Sequence, residues 1–249
     1  MGTIQRISPA PPELQRVSPL DLTALGLYIA AFALAGELLL PLLEQVSPSP
    51  AVATYFVNLI SSVCVGTVAF LAARRIVARD LRILGTRPWF TLLMVPVCML
   101  GMVIVTTILV TLAGTVEPSA NQASVQEFIR QVPAWLVVPL LVVVAPFVEE
   151  YFFRHLLIGK LSRRINIWVC CGLSVVLFAT LHVLGKQDLT LAVLLPYIAM
   201  GASLVFVYVW TGKNLMFSYL VHAAKNLLAV VFLYAIPPEL MEQLQQLQP

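Results

Sequence analysis

Residues 147–158 read Phe147-Val148-Glu149-Glu150-Tyr151-Phe152-Phe153-Arg154-His155-Leu156-Leu157-Ile158, closing an apolar stretch that begins at Trp135. A helix crosses the hydrocarbon of a bilayer with about 20 apolar residues, so the stretch is long enough to span. Two adjacent carboxylates stand inside it, and an arginine follows four residues after the second. Bare carboxylates in hydrocarbon are costly unless paired or wetted, so an ionisable cluster at this depth marks a functional site.

The rest of the chain fits the same solvent. Of 249 residues, 60% are hydrophobic and only 11% charged, and the mean hydropathy is +0.93. A soluble domain carries about 25% charged residues, which excludes a water-soluble globule. Seven stretches have spanning length: 22–43, 51–73, 90–113, 135–158, 167–185, 189–210 and 214–236. They are continuously apolar rather than alternating, so they predict helices and not barrel strands. The expected fold is all-α, a multi-spanning transmembrane bundle of about seven helices over 22–236, with a flexible tail at 1–21 and a short tail at 237–249.

Charge sets the expected orientation. Arg6 and Arg16 precede the first span, Arg74, Arg75, Arg79, Arg82 and Arg87 fill the second loop, Lys160, Arg163 and Arg164 follow the fourth span, and Lys213 follows the sixth. Eleven of 15 basic residues thus fall on one side; Arg130 and Lys186 fall on the other, while Arg154 and Lys225 lie inside spans. By the positive-inside rule the N-terminus is cytoplasmic. The arginine loop is expected to meet lipid headgroups. No nucleic-acid patch is present, the N-terminus lacks the apolar core of a signal peptide, and the four cysteines read as apolar packing residues. Between 115 and 133, Ser124 to Gln131 has the pattern of a short interfacial helix.

Polar residues inside the spans gather on the fourth, fifth and seventh, which make 134–236 the catalytic half. Glu150 and Arg154 are i, i+4 and meet on one face, leaving Glu149, rotated by about 100°, free for work. His222 and Asn226 are i, i+4 and can both donate to one oxygen; Phe178 and His182 are spaced alike. At 1.5 Å per residue, Glu149 lies about 13 Å and His222 about 12 Å from the cytoplasmic ends of their helices, while His182 comes out near 20 Å, several ångströms too deep. A glutamate and a histidine can hold and deprotonate a water, and a histidine with an asparagine can stabilise the resulting oxyanion. The same Glu149, His182 and His222 could instead ligate zinc with one open position. His155 is expected near the cytoplasmic end, within reach of water. Glu37 and Asn58 read as packing or cavity residues, with Glu37 or a lipid phosphate as a partner for Lys225.

Three motifs then resemble a known family. Glu149-Glu150 with Arg154 resembles the Glu-Glu-x-x-x-Arg motif of the CAAX-protease and bacteriocin-processing (Abi) family, Phe178 with His182 its Phe-x-x-x-His motif, and His222 with Asn226 its His-x-x-x-Asn motif. All three occur in the family's order over 147–226. The resemblance implies a glutamate-dependent intramembrane endopeptidase, with Glu149 and His182 on the catalytic water, His222 and Asn226 at the oxyanion, and Glu150 and Arg154 in support. It implies no cofactor, although the family was long labelled metallo-, and a membrane-associated peptide, prenylated or precursor protein as substrate. Where members commonly have glycine after the arginine, this chain has His155, which questions close helix approach there. The expected setting is a bacterial inner membrane with the site opening toward the cytoplasmic leaflet. The competing class is a non-catalytic membrane protein, such as an immunity factor, scaffold or small-solute transporter, using the cluster for packing.

Overall fold

The computed structural model describes residues 16–114, 120–184 and 190–235. Every regular element is helical: α1 (Pro19–Leu38), α2 (Leu40–Glu44), α3 (Pro50–Gly85), α4 (Pro88–Ala113), α5 (Ala120–Gln131), α6 (Ala134–Val138), α7 (Ala145–Glu150), α8 (Ile167–Val183), α9 (Leu191–Trp210) and α10 (Leu215–Ala235). A π-helical turn at Pro139–Val144 and a longer one at Tyr151–Lys160 join α6 and α7 into one continuous span, Ala134–Arg163. Among the described residues, six helices are long and apolar enough to cross a membrane, and α8 is a shorter apolar one. The multi-span bundle expected from hydropathy is therefore the fold.

Helix starts follow local chemistry. Ser18 and Asp21 form a reciprocal capping box ahead of Pro19, and Ser49 caps α3 ahead of Pro50. A proline at the first helical position gives up an N–H that would be unpaired there anyway. Gly114 ends α4 at φ 69°, in the left-handed conformation that glycine adopts without strain.

Two boundaries differ from the sequence expectation. The first helix begins at Pro19, so Asp21 is a buried helical residue and not the end of a tail. Hydropathy reads Asp21 as an end because it cannot see the partners described below. The second span, α3, continues to Gly85, which puts Arg74, Arg75, Arg79 and Arg82 on helix rather than in a loop. Its 36 residues make about 54 Å, well beyond the roughly 30 Å of hydrocarbon, so the extra turns project past it. Between 115 and 133 the helix runs from Ala120, earlier than Ser124. Residues 1–15, 115–119, 185–189 and the 237–249 tail lie outside the described residues.

The fourth span is the hub. Tyr151, Phe152 and Ile158 pack with Ala24 of α1 and Ala69 and Ala73 of α3, small residues that allow close helix approach. Phe153 packs with Phe178, Leu204 and Phe217 on its other side. Phe128 and Ile129 of α5, with Val132 just after it, pack on Tyr55 and Leu140, which seats α5 across one end of the bundle. By contrast α4 buries only Met102 and leaves residues such as Trp89 and Leu112 exposed, as a lipid-facing helix should.

Candidate active site

Proline sets the backbone of the fourth span. In the π turn the Ala145 N–H reaches back to the Leu140 carbonyl, so the next carbonyl, Leu141, would need the N–H of residue 146. That residue is Pro146, which has none. The Asn226 side-chain amide fills the gap, donating to the Leu141 oxygen at 2.9 Å and tying α10 to the fourth span. Asn226 was expected to donate to an oxyanion together with His222. One of its two amide N–H groups is held on the backbone instead.

Glu150 is fully buried and fully engaged. The Ser218 hydroxyl donates to its Oε2, His222 Nδ1 lies 3.0 Å from its Oε1, and Arg154 Nη1 lies 3.3 Å from the same oxygen. Arg154 also donates to the Gly201 carbonyl at 3.2 Å and lays its guanidinium 4.6 Å from the centre of the Phe178 ring. A side chain at Gly201 would begin 3.2 Å from the Phe178 ring, so the glycine lets α9 bring that carbonyl in. Glu150 and Arg154 thus join the fourth span to α8, α9 and α10, the supporting arrangement read from their spacing. Ser218 and Gly201 escaped the sequence reading. Ser218 is recoverable, standing four residues before His222 on the same helix face.

Glu149 differs in every respect. Its side chain is 20% exposed, and its Oε2 lies 3.7 Å from His182 Nε2 and 3.6 Å from His222 Nε2, too far for direct hydrogen bonds. That oxygen is buried with no hydrogen-bond partner among the described residues. Both rings are oriented through their other nitrogen. His182 Nδ1 lies 2.7 Å from the Phe178 carbonyl, which can only accept, so this nitrogen carries the hydrogen and Nε2 presents a lone pair. His222 Nδ1 faces the Glu150 carboxylate, so the neutral ring likewise turns an accepting Nε2 toward Glu149. The His182 ring is sandwiched by Phe178, 4.4 Å away, and Tyr197, 4.7 Å away. Acceptors therefore converge with no donor between them, a geometry that a water satisfies with its two hydrogens.

Glu149, His182 and His222 meet as the sequence suggests, including His182, whose counted depth was too great. Counting rise along upright helices fails here, and a late start of α8 is not the reason, since α8 begins at Ile167. For zinc, the same three side chains would be the ligands; among the described residues no group of three His, Cys, Asp or Glu is placed to hold a metal ion.

A cavity of about 220 Å³ adjoins Glu149 and His182, walled by Tyr28 of α1, Asn58 and Ser62 of α3, Ser124 and Phe128 of α5, and Leu140 and Leu141. Its lining comes from the half of the bundle away from the arginine-rich helix ends. Relative to those ends, expected to be cytoplasmic, the cavity lies in the other half of the bundle. Asn58, read as a packing or cavity residue, lines the cavity. Glu37 is exposed, and Lys225 contacts the Asn226 side-chain oxygen at 3.5 Å rather than Glu37.

The arginine-rich end holds polar groups of another kind. Asp21 accepts from the Tyr151 hydroxyl and from Lys160 Nζ, each at 2.5 Å. Asp80 accepts from the backbone N–H of Leu215 at 2.6 Å, placing a carboxylate on the N-terminal end of α10, where the helix dipole favours it. His155, expected to reach water, is buried and tilts against the Tyr151 ring. The close approach that a glycine at 155 would give falls one turn later, at Gly159, where a Cβ would begin 2.7 Å from the Tyr208 hydroxyl.

Comparison with known proteins agrees with the motifs. Residues 131–228 match the family model described as Type II CAAX prenyl endopeptidase Rce1-like. The chain is 26% identical over 161 residues to the membrane-embedded CAAX protease MroQ of Staphylococcus aureus (strain USA300), covering 64% of this chain and 63% of that one. It is 29% identical over 118 residues to the putative membrane peptidase YdiL of Bacillus subtilis (strain 168), covering 47% and 45%. The chain thus spans less than two thirds of the length of these relatives. No solved structure matches. All three motifs fall within the matched residues, so the resemblance read from them holds.

Proposed function

We propose, from kinship to CAAX proteases over residues 131–228, that this protein is an intramembrane endopeptidase using a water activated by Glu149 and His182. One observation carries the reading: a buried, unpartnered carboxylate oxygen faces two imidazole nitrogens whose opposite nitrogens are already engaged. A water there gives one hydrogen to Glu149 and the other to His182. Glu149 takes a proton as the water oxygen attacks the peptide carbonyl carbon, then returns it to the leaving amide nitrogen. His222, steered by Glu150 and donating through Nε2 once its ring is protonated, and the remaining amide N–H of Asn226 stabilise the developing oxyanion. Glu150, Arg154 and Phe178 hold these groups in place and touch no substrate.

The substrate in this reading is a membrane-associated peptide or a prenylated or precursor protein. The relatives named as a CAAX protease and a membrane peptidase support that class. Their bacterial sources support a bacterial inner membrane, with the basic helix ends and the N-terminus cytoplasmic. No step here needs a metal.

The test is cleavage of quenched fluorogenic peptides, with and without an S-farnesyl cysteine, by the detergent-purified full chain. Glu149→Ala and Glu149→Gln run beside wild type, with metal content by mass spectrometry and chelator controls. Activity that is lost in both variants and indifferent to chelator is expected. Activity that tracks stoichiometric zinc would move Glu149, His182 and His222 into a ligand shell. Variants that retain both cleavage and the cellular phenotype would leave the cluster as packing.

A further inference from the structure

We infer that Tyr28 is a further catalytic residue, its phenol O–H donating a hydrogen bond to the scissile carbonyl oxygen as charge builds there. The inference rests on the endopeptidase reading of the Glu149 site. Tyr28 belongs to α1, outside the family-matched residues 131–228, and no motif points to it.

Three observations place it. Tyr28 walls the same cavity as Glu149 and His182. Its ring is stacked on Phe152, with centroids 4.4 Å apart and planes 25° apart, and meets Phe153 edge-on at 6.5 Å. Those two residues follow Glu149 and Glu150 on the fourth span, so the phenol's position is registered to that of Glu149. Tyr28 also lies within electrostatic reach of Glu149; its side chain is half-buried, and its hydroxyl makes no hydrogen bond among the described residues.

A half-buried phenol hydroxyl with no protein partner is free to donate to a water or a bound ligand. Tyr28 keeps a rigid ring and an uncommitted O–H on the wall of the cavity that Glu149 and His182 also line. Of the two donors read from the sequence, Asn226 has one N–H held by Leu141. A donor from α1 adds to the remaining Asn226 N–H at the same carbonyl oxygen. As the water oxygen bonds to that carbon, the carbonyl π electrons move to oxygen and the water proton moves to Glu149. Tyr28 keeps its proton throughout and stabilises the oxyanion by hydrogen bonding alone.

Tyr28→Phe preserves the stacking and deletes only the hydroxyl. On the best-cleaved fluorogenic peptide, kcat is expected to fall about 10²-fold with KM within about threefold of wild type. A phosphinate analogue of that peptide should bind more weakly by a similar factor, while affinity for the cleaved product and the thermal midpoint stay unchanged. Wild-type kcat and phosphinate affinity in Tyr28→Phe, or an effect confined to KM, would overturn the assignment. Glu149→Gln separates the two levels. If it is inactive while Tyr28→Phe is fully active, only the role of Tyr28 fails; if it still cleaves, the endopeptidase reading fails and Tyr28 falls with it.

Discussion

Glu149 and Glu150 are neighbours in the chain and opposites in their surroundings. Glu150 is closed in by Ser218, His222 and Arg154, and its side chain sees no solvent. Glu149 opens onto a cavity with an oxygen no donor satisfies. The contrast extends across the bundle: toward the arginine-rich end, Asp21 and Asp80 are paired with donors from helices distant in sequence, while the cavity side keeps Glu149 and Tyr28 uncommitted. Both arrangements place charge where it is expensive. Only one compensates that cost within the fold; the other holds acceptors ready for water and substrate.

The contrast predicts opposite outcomes at the two acids, and the largest effect lies at Glu149. Glu149→Gln should lower cleavage by about 10³-fold or more while leaving stability in detergent at or above that of wild type, since no partner is lost. Steady-state kinetics with thermal unfolding of the same samples reads both quantities. A Glu149→Gln protein that unfolds easily would make Glu149 a structural acid like its neighbour and erase the distinction.

Breaking the supporting pair should act on stability first. Arg154→Met leaves Glu150 buried without its guanidinium and removes the tie to the Gly201 carbonyl, an expected loss of about 3–5 kcal/mol. The double variant Glu150→Gln/Arg154→Met removes both charges and should recover a large part of that loss, because an uncompensated charge is the main penalty. Unfolding titrations in mixed detergent micelles measure both. If the double variant is no more stable than the single one, the loss belongs to the Phe178 and Gly201 contacts and not to the charge pair.

The sequence carries half of this contrast. Hydropathy marks the spans because lipid demands long apolar runs, and i, i+4 spacing reveals Glu150 with Arg154 because one helix face carries both. Glu149, His182 and His222 could be grouped through the family's three motifs. The other half is silent for physical reasons. Asp21 meets Lys160 across 139 residues of chain, and no local period records such a contact. Asp80 sits among arginines and reads as a surface charge, yet its partner is the end of a helix. Hydropathy also cannot tell a loop from a helix that continues past the bilayer, which is why four arginines of α3 were assigned to a loop. The π turn is invisible without knowing that Ala145 reaches Leu140; only then does Pro146 explain the position of Asn226.

The smallest expected effect tests whether the paired end is merely structural. Asp21 accepts from Tyr151, from Lys160 and from the Ser18 backbone N–H at 2.6 Å, which joins the start of α1 to the fourth span one residue past Glu150. Asp21→Asn keeps the shape but leaves Lys160, 6% exposed, without its counter-charge. The expected loss is about 2 kcal/mol, less than at Arg154, because a lysine near the end of a span can extend its ammonium toward water. Cleavage per folded molecule should stay within about twofold of wild type, since the lock touches neither the cavity nor the reacting atoms. Thermal unfolding and kcat measured on one preparation decide it. A fall in kcat approaching that of Glu149→Gln, at unchanged stability, would mean that Tyr151 transmits the state of α1 to the adjacent acids. The two ends of the bundle would then be one device, and the division between a paired scaffold and an uncommitted site would have to be redrawn.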